Sequence, residues 1–317
     1  MITPKVIKTL LTQPVVHNTV LPFLRAPGVR VLMYHRIGRL GSEFEGLNID
    51  VFRDHVAWLA TRYTPIRPHE LADPKHQTRS KRPAVLLTFD DGYTDFYANA
   101  YPILREFNVP ALVFLPTEAV SDGGTIWPER LQCWINRARA AGAYGALADL
   151  FKPQYGDLII KNRQVLKSMP DDERRVILDT IRTTLDSLGV DTHVERQMMT
   201  WSQINSTRPF IEYGAHTHTH PIVARMSPAE FQADMQRNCE HLERGLGERP
   251  TTFAWPNGRW EDFSESALET VKSFGFTQIY TTVEGVNRGQ FNPDEIRRLP
   301  TITPDATSLN ALMTRAS

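Results

Sequence analysis

Cysteine is scarce in this chain: 317 residues carry two, Cys133 and Cys239. They stand far apart with no CxxC spacing, so no disulfide framework is implied, and they read as two buried thiols in a reducing compartment. Net charge is also missing. Lys+Arg and Asp+Glu both number 36, which removes the basic excess that a nucleic-acid binder usually shows. No apolar run approaches the ~18 residues of a membrane span. Within residues 1–24, Lys8, Thr9, Thr12, Gln13, His17 and Asn18 interrupt the apolar positions and Pro14 intervenes. The segment therefore lacks the uninterrupted apolar stretch, about 7–15 residues, of a secretory signal. These absences give the expectation of a cytoplasmic protein with no nucleic-acid partner. Residues 1–28 read as an N-terminal helical segment, packed on the protein's own core or resting peripherally on a membrane or on another subunit. There is no internal repeat and no low-complexity tract.

What is present describes an α/β protein. Hydrophobic residues make up 41% and charged residues 23%, as in soluble globular domains. The length suits one α/β barrel carrying insertions. VRVLMY (29–34) is a short β-branched run, and AVLLTF (84–89) is a run suited to a parallel strand buried on both faces. PILREF (102–107) opens a helix on a proline, and ALVFL (111–115) is the next buried strand. Strand, helix and strand in this order imply a right-handed parallel crossover. Further strands are expected at 210–213, 251–255 and 277–282, with helices at 51–61 and 264–274. The stretch from about 121 to 205 departs from this alternation, with helices expected at 129–141 and 171–188. It reads as a helical insertion, either a wall shaping a substrate cleft or a solvated decoration. Residues 29–317 are thus one barrel domain interrupted by this insertion.

Two clusters carry chemistry. AHTHTHP places His216, His218 and His220 within five positions. On a helical turn His216 and His220 share a face and can present two imidazoles to one ion of the zinc type, while His218 points elsewhere. TFDDGY puts Asp90 and Asp91 side by side at the end of a buried strand, where the chemistry of α/β barrels resides. Two adjacent buried carboxylates need a compensating cation. Taken alone, Asp-Gly is also an ordinary solvated turn. Taken together, one Asp and two His make a facial metal site, and the second Asp is left as a base.

TFDDGY, HTHTHP and FAWPNG, in this order, resemble the successive motifs of the polysaccharide deacetylase family, the NodB-homology group of carbohydrate esterases, over about residues 29–300. The resemblance implies a distorted (β/α) barrel of fewer than eight units. It implies a divalent metal, zinc with cobalt or nickel as substitutes, on Asp91, His216 and His220, with Asp90 as catalytic base. Pro256 to Gly258 would border the substrate groove, the Asn257 amide would stabilise the oxyanion, and Trp255 would line the groove. The family's arginine that pairs with the base is replaced here by Ala254, so Arg297 or Arg298 of EIRRLP is expected to orient Asp90. The family's late Leu-x-His motif is absent. In the exopolysaccharide de-N-acetylase branch, which this chain resembles, an early Tyr-His supplies the general acid, and His35 of VLMYHRIG stands in that place. The implied activity is release of acetate from an acetylated amino sugar, on a nucleotide- or lipid-linked precursor if the protein is cytoplasmic. A deformylase, an O-deacetylase and a non-catalytic carbohydrate-binding relative are the alternatives.

Overall fold

The structure, a computed structural model, describes residues 27–40, 44–78, 80, 82–155, 163–301 and 305–315. The N-terminal segment expected over residues 1–28 lies outside the described residues except for its last two. Among the described residues, no helix is long and apolar enough to cross a membrane.

The sheet has eight strands: β1 (Arg30–Tyr34), β2 (Thr64–Pro65), β3 (Ala84–Phe89), β4 (Ala111–Leu115), β5 (Ile211–Ala215), β6 (Thr252–Ala254), β7 (Gln278–Tyr280) and β8 (Leu299–Pro300). All pairings in it are parallel, in the order β8-β1-β3-β4-β5-β6-β7, with β2 added to the start of β3. The register is continuous, for example Tyr34 beside Phe89 and Leu115 beside Ala215. The sheet curls until its ends meet. Ile296 bridges Tyr280 in β7, and three residues later Leu299 pairs with Leu32 in β1. One short stretch, 296–300, therefore joins both ends of the sheet, where no strand was expected from sequence.

Strand alternation builds two apolar layers. Val31, Ala84, Leu86, Leu112, Phe114, Ala254 and Tyr280 fill the inside of the barrel. Leu32, Val85, Leu87, Phe89, Val113, Leu115, Phe253 and Ile279 face the helices outside. Helix α1 (Ile49–Arg62) is capped by Asn48, whose side chain accepts from Asp50 and Val51 backbone N–H. The outer layer also receives α2 (Tyr101–Glu106), continuous with a π-helical stretch at Phe96–Ala100.

Between β4 and β5 runs the insertion: α3 (Thr117–Asp122), α4 (Trp127–Ala140), α5 (Tyr144–Tyr155), α6 (Arg163–Ser168), α7 (Asp171–Ser187) and α8 (Trp201–Thr207). Helices α4 and α7 stand within a residue or two of the sequence expectation at each end. The insertion is more than a solvated decoration, because Trp127, Leu131, Trp134, Leu166, Ile177, Ile181 and Leu185 form an apolar core of their own. After β5 come α9 (Pro228–Leu246), α10 (Glu265–Ser273) and α11 (Ala306–Arg315). Helix α9 begins with a Ser227/Glu230 capping box and ends at left-handed Gly247.

The turn after β3 is tight. Asp91 and Gly92 are both left-handed, at φ 73° and 72°, and a Cβ on Gly92 would stand 2.5 Å from Leu115 Cδ2. Gly92→Ala is expected to cost about 1–3 kcal/mol through strain and overpacking, read as a lowered midpoint in chemical denaturation.

Candidate metal centre and catalytic cleft

A cleft of about 1020 Å³ opens at the C-terminal ends of the strands, the end of an α/β barrel that carries function. His35 and Arg36 follow β1, Asp90 and Asp91 follow β3, His216 follows β5, Asn257 lies beyond β6, and Thr282 lies beyond β7; all line the cleft. Each arrives there because its strand ends where the chain turns out over the barrel rim.

Asp90 is buried and held from below. Arg298 Nη1 donates to its Oδ1 at 2.6 Å and Nη2 to its Oδ2 at 2.9 Å. The same guanidinium is anchored by Nε donating to the Thr281 carbonyl at 2.7 Å, and it stands 5.6 Å from the Phe114 ring in the barrel interior. Burial alone would raise the Asp90 carboxyl, but its neighbours, the Arg298 guanidinium foremost, outweigh it and hold the group below the usual carboxylate range. On the cleft side, Asp90 Oδ2 lies 3.8 Å from His35 Nε2, and the His35 side chain is half exposed.

Asp91 points to different partners. His220 Nε2 is 3.2 Å and His216 Nε2 3.6 Å from its Oδ1. One donor atom from each of the three residues falls within 4.8 Å of the others, and all three residues are buried. His216 Nδ1 lies 2.7 Å from the Ala254 carbonyl. A carbonyl only accepts, so the Nδ1 proton is fixed there and the Nε2 lone pair faces Asp91. Burial pushes the His216 imidazole down to about 4, so it is neutral near pH 7. Asp91 Oδ1 is buried without a hydrogen-bond partner. An ionised carboxylate oxygen facing an imidazole lone pair is unfavourable unless a cation lies between them. The donor set of one carboxylate and two imidazoles suits a borderline divalent ion, so these residues fit a metal.

Residues 77–170 and 189–279 match the model of the family described as polysaccharide deacetylase. The chain belongs to the polysaccharide deacetylase family. The poly-beta-1,6-N-acetyl-D-glucosamine N-deacetylase of Escherichia coli K12 is 24% identical over 285 residues, covering 87% of this chain and 36% of that protein. The chain spans just over a third of the length of the curated relatives it matches. In fold, this family member is similar to the Streptococcus pyogenes deacetylase PplD in complex with acetate, with a TM-score of 0.61, 19% identity, and coverage of 91% of this chain and 99% of that one. It is also similar to IcaB from Ammonifex degensii, with a TM-score of 0.61, 19% identity, and coverage of 92% and 98%.

The structure of this deacetylase-family chain corrects three expectations from sequence and decides one that the sequence left open. His216 and His220 do not share a helical turn; they sit on a loop after β5, where Thr217 and His220 take left-handed backbone at φ 63° and 54°. Trp255 does not line the groove. It is fully buried, stacked on Phe263 at 4.4 Å and edge-on to Phe253 at 4.8 Å. Strand alternation sends Ala254 into the barrel and Trp255 outward under the helices. Pro256 is buried and absent from the cleft wall, so only Asn257 of that trio reaches it. Of the two arginines, Arg298 meets Asp90, whereas Arg297 is exposed.

Two features were not read from sequence. Arg36 donates to Glu129 from α4 through Nε (2.8 Å) and Nη2 (2.7 Å), and to Asp95 through Nη1 (2.9 Å), while stacking 3.7 Å from the Tyr93 ring. Burial pushes Asp95 up to about 6 despite this partner. Lys167 from α6 donates to the Asn257 side chain at 2.8 Å. Both contacts pin the insertion to the cleft rim, so it forms a wall of the cleft. The pairs are separated by 93, 59 and 90 positions, and a single sequence offers no local signal for them.

These contacts generate two expectations. Titration of the metal-free chain with zinc should show a single tight site that Asp91→Asn or His220→Ala weakens by at least about 100-fold, with Asp90→Asn retaining it. Trp255→Ala should cost about 3–5 kcal/mol as a cavity in the core, and Arg298→Met about 3–5 kcal/mol by stranding the buried carboxylate. Arg297→Ala should fall within about 0.5 kcal/mol of the parent. Denaturant melts read all three.

Proposed function

We propose that this chain hydrolyses the N-acetyl group of an amino sugar in a bacterial glycan or glycan precursor, releasing acetate and leaving a free amine. The observation that carries this reading is the division of labour between two adjacent carboxylates: Asp90 is bound from below by Arg298, and Asp91 faces two imidazole nitrogens across a site that fits a cation. The N-acetylglucosamine polymer in the name of the E. coli relative supports that class of sugar, and the cleft is large enough for more than one sugar ring.

A divalent cation, zinc in this proposal, would polarise the acyl carbonyl and lower the pKa of a water molecule at the site. The protein's own groups do the rest. Asp91, His216 and His220 hold the ion. Asp90 stays ionised, and each of its oxygens keeps a lone pair beyond its bond to Arg298; it accepts the proton of the attacking water. Arg298 fixes the plane of that carboxylate, acting through Asp90 as a positioning residue. The Asn257 main-chain N–H, on a left-handed residue (φ 62°) in the cleft wall, donates to the negative charge developing on the acyl oxygen. His35 faces Asp90 from the open side and passes a proton to the departing amine.

Incubated with zinc and β-linked N-acetylglucosamine oligomers, the full chain is expected to release acetate. Asp90→Asn should lower kcat by about 10²–10⁴ and His35→Ala by about 10², each with little change in KM. Acetate release that survives Asp90→Asn unchanged would contradict the assignment.

A further inference from the structure

A second cavity, of about 220 Å³, adjoins the catalytic cleft; Ile126 and His220 line both. The insertion helices form much of its wall, and the chemistry there is cationic. Helix α7 contributes Arg174, Arg175 and Arg182, and α4 contributes Arg130. Arg175 and Arg182 stand toward solvent, 51% and 45% exposed, whereas Arg174 is 2% exposed.

Two of the three acids on the wall, Asp171 and Asp179, are already engaged. Asp171 accepts from Arg174 Nη2 and from Arg175 Nε, the latter at 2.7 Å. Asp179 accepts from Arg182 at 2.6 Å. Glu118 is partly buried, and that burial raises its carboxyl. Arg174 nevertheless keeps two buried nitrogens, Nε and Nη1, without a hydrogen-bond partner. Burial and the neighbouring Arg175 push its guanidinium down to about 10. A buried guanidinium with unpaired N–H groups is costly. Its planar fork suits an oxyanion.

This cavity also touches the metal centre. The Arg174 guanidinium stacks on the Trp127 ring at 4.7 Å, and Trp127 Nε1 donates to the His220 carbonyl at 3.2 Å. One indole thus spans the cationic cavity and the backbone of a residue facing Asp91.

We propose that this cavity is a binding site for a phosphate-class oxyanion, taken by Arg174 at its base and by Arg175 and Arg182 at its mouth. The anion is either free or a phosphoryl group carried by the substrate. The site stands on its own contacts and does not depend on the acetyl-hydrolysis reading.

The test is calorimetric titration of the zinc-loaded full chain with inorganic phosphate, in parallel with Arg175→Gln, Arg174→Met and Asp91→Asn. The expected result is saturable binding, weakened about tenfold or more by Arg175→Gln, lost in Arg174→Met, and retained in Asp91→Asn. Arg175 is half exposed, so its variant reports even if Arg174→Met fails to fold. No saturable binding, binding indifferent to Arg175→Gln, or binding lost only in Asp91→Asn would overturn the proposal. N-acetylglucosamine 1-phosphate separates the sources. Tighter binding than phosphate, lost in Arg175→Gln, places the anion on the substrate; equal binding, with the same sensitivity to Arg175→Gln, makes it a free ligand.

Discussion

Two carboxylates on consecutive residues, both buried, cannot both remain ionised without two separate sources of positive charge. Asp90 and Asp91 meet that constraint by facing opposite ways from the end of β3. Asp90 follows the strand's alternation toward the barrel interior, where Arg298 waits. Asp91 breaks the alternation with a left-handed backbone and turns to His216 and His220. The left-handed turn is therefore the device that keeps the two charges apart. The close approach of Leu115 to Gly92 helps to explain why a glycine follows it.

The barrel closes in a way that serves the same constraint. The stretch 296–300 joins β7 to β1, and its middle residue is Arg298. A guanidinium in a sealed barrel end would be prohibitive on its own; here its three nitrogens meet Asp90, Thr281 and Thr88. Ala254 lies in the same inner layer and offers no charge. The cation that neutralises Asp90 therefore comes from the residue that leads into the last strand. Closure of the sheet and ionisation of Asp90 are one structural event. The insertion adds the remaining wall of the cleft through Glu129 and Lys167, tied to the barrel rim by Arg36 and Asn257.

Much of this was legible in the chain itself. The parallel strands announced themselves as short apolar runs, and α7 by its proline and three acids. TFDDG and HTHTH place Asp90, Asp91, His216 and His220 together because strand ends are where a barrel's polar groups collect. What stayed hidden depends on contacts between distant segments. The two-residue strand Leu299–Pro300 is too short to show a period. A tryptophan beside a site motif can face either side of the sheet, and register, which sends Trp255 outward, is not visible in one sequence. The loop carrying His216 and His220 imitates helical spacing while reaching the same convergence by another backbone path. Its left-handed Thr217, whose hydroxyl donates to the His216 carbonyl, gives no advance sign of that path. Choosing Arg298 over Arg297 required knowing which of two consecutive residues points inward.

The proposed chemistry requires that Asp91, His216 and His220 hold a cation while Asp90 keeps Arg298 as its partner. The most direct measurement is a crystal structure of the zinc-loaded full chain, with anomalous diffraction recorded on both sides of the zinc absorption edge. One anomalous peak is expected, bonded to Asp91, His216 Nε2 and His220 Nε2, with the Asp90–Arg298 pair intact beside it. A peak bonded to Asp90 in place of Asp91, or no peak among these three residues at full zinc loading, would contradict that assignment.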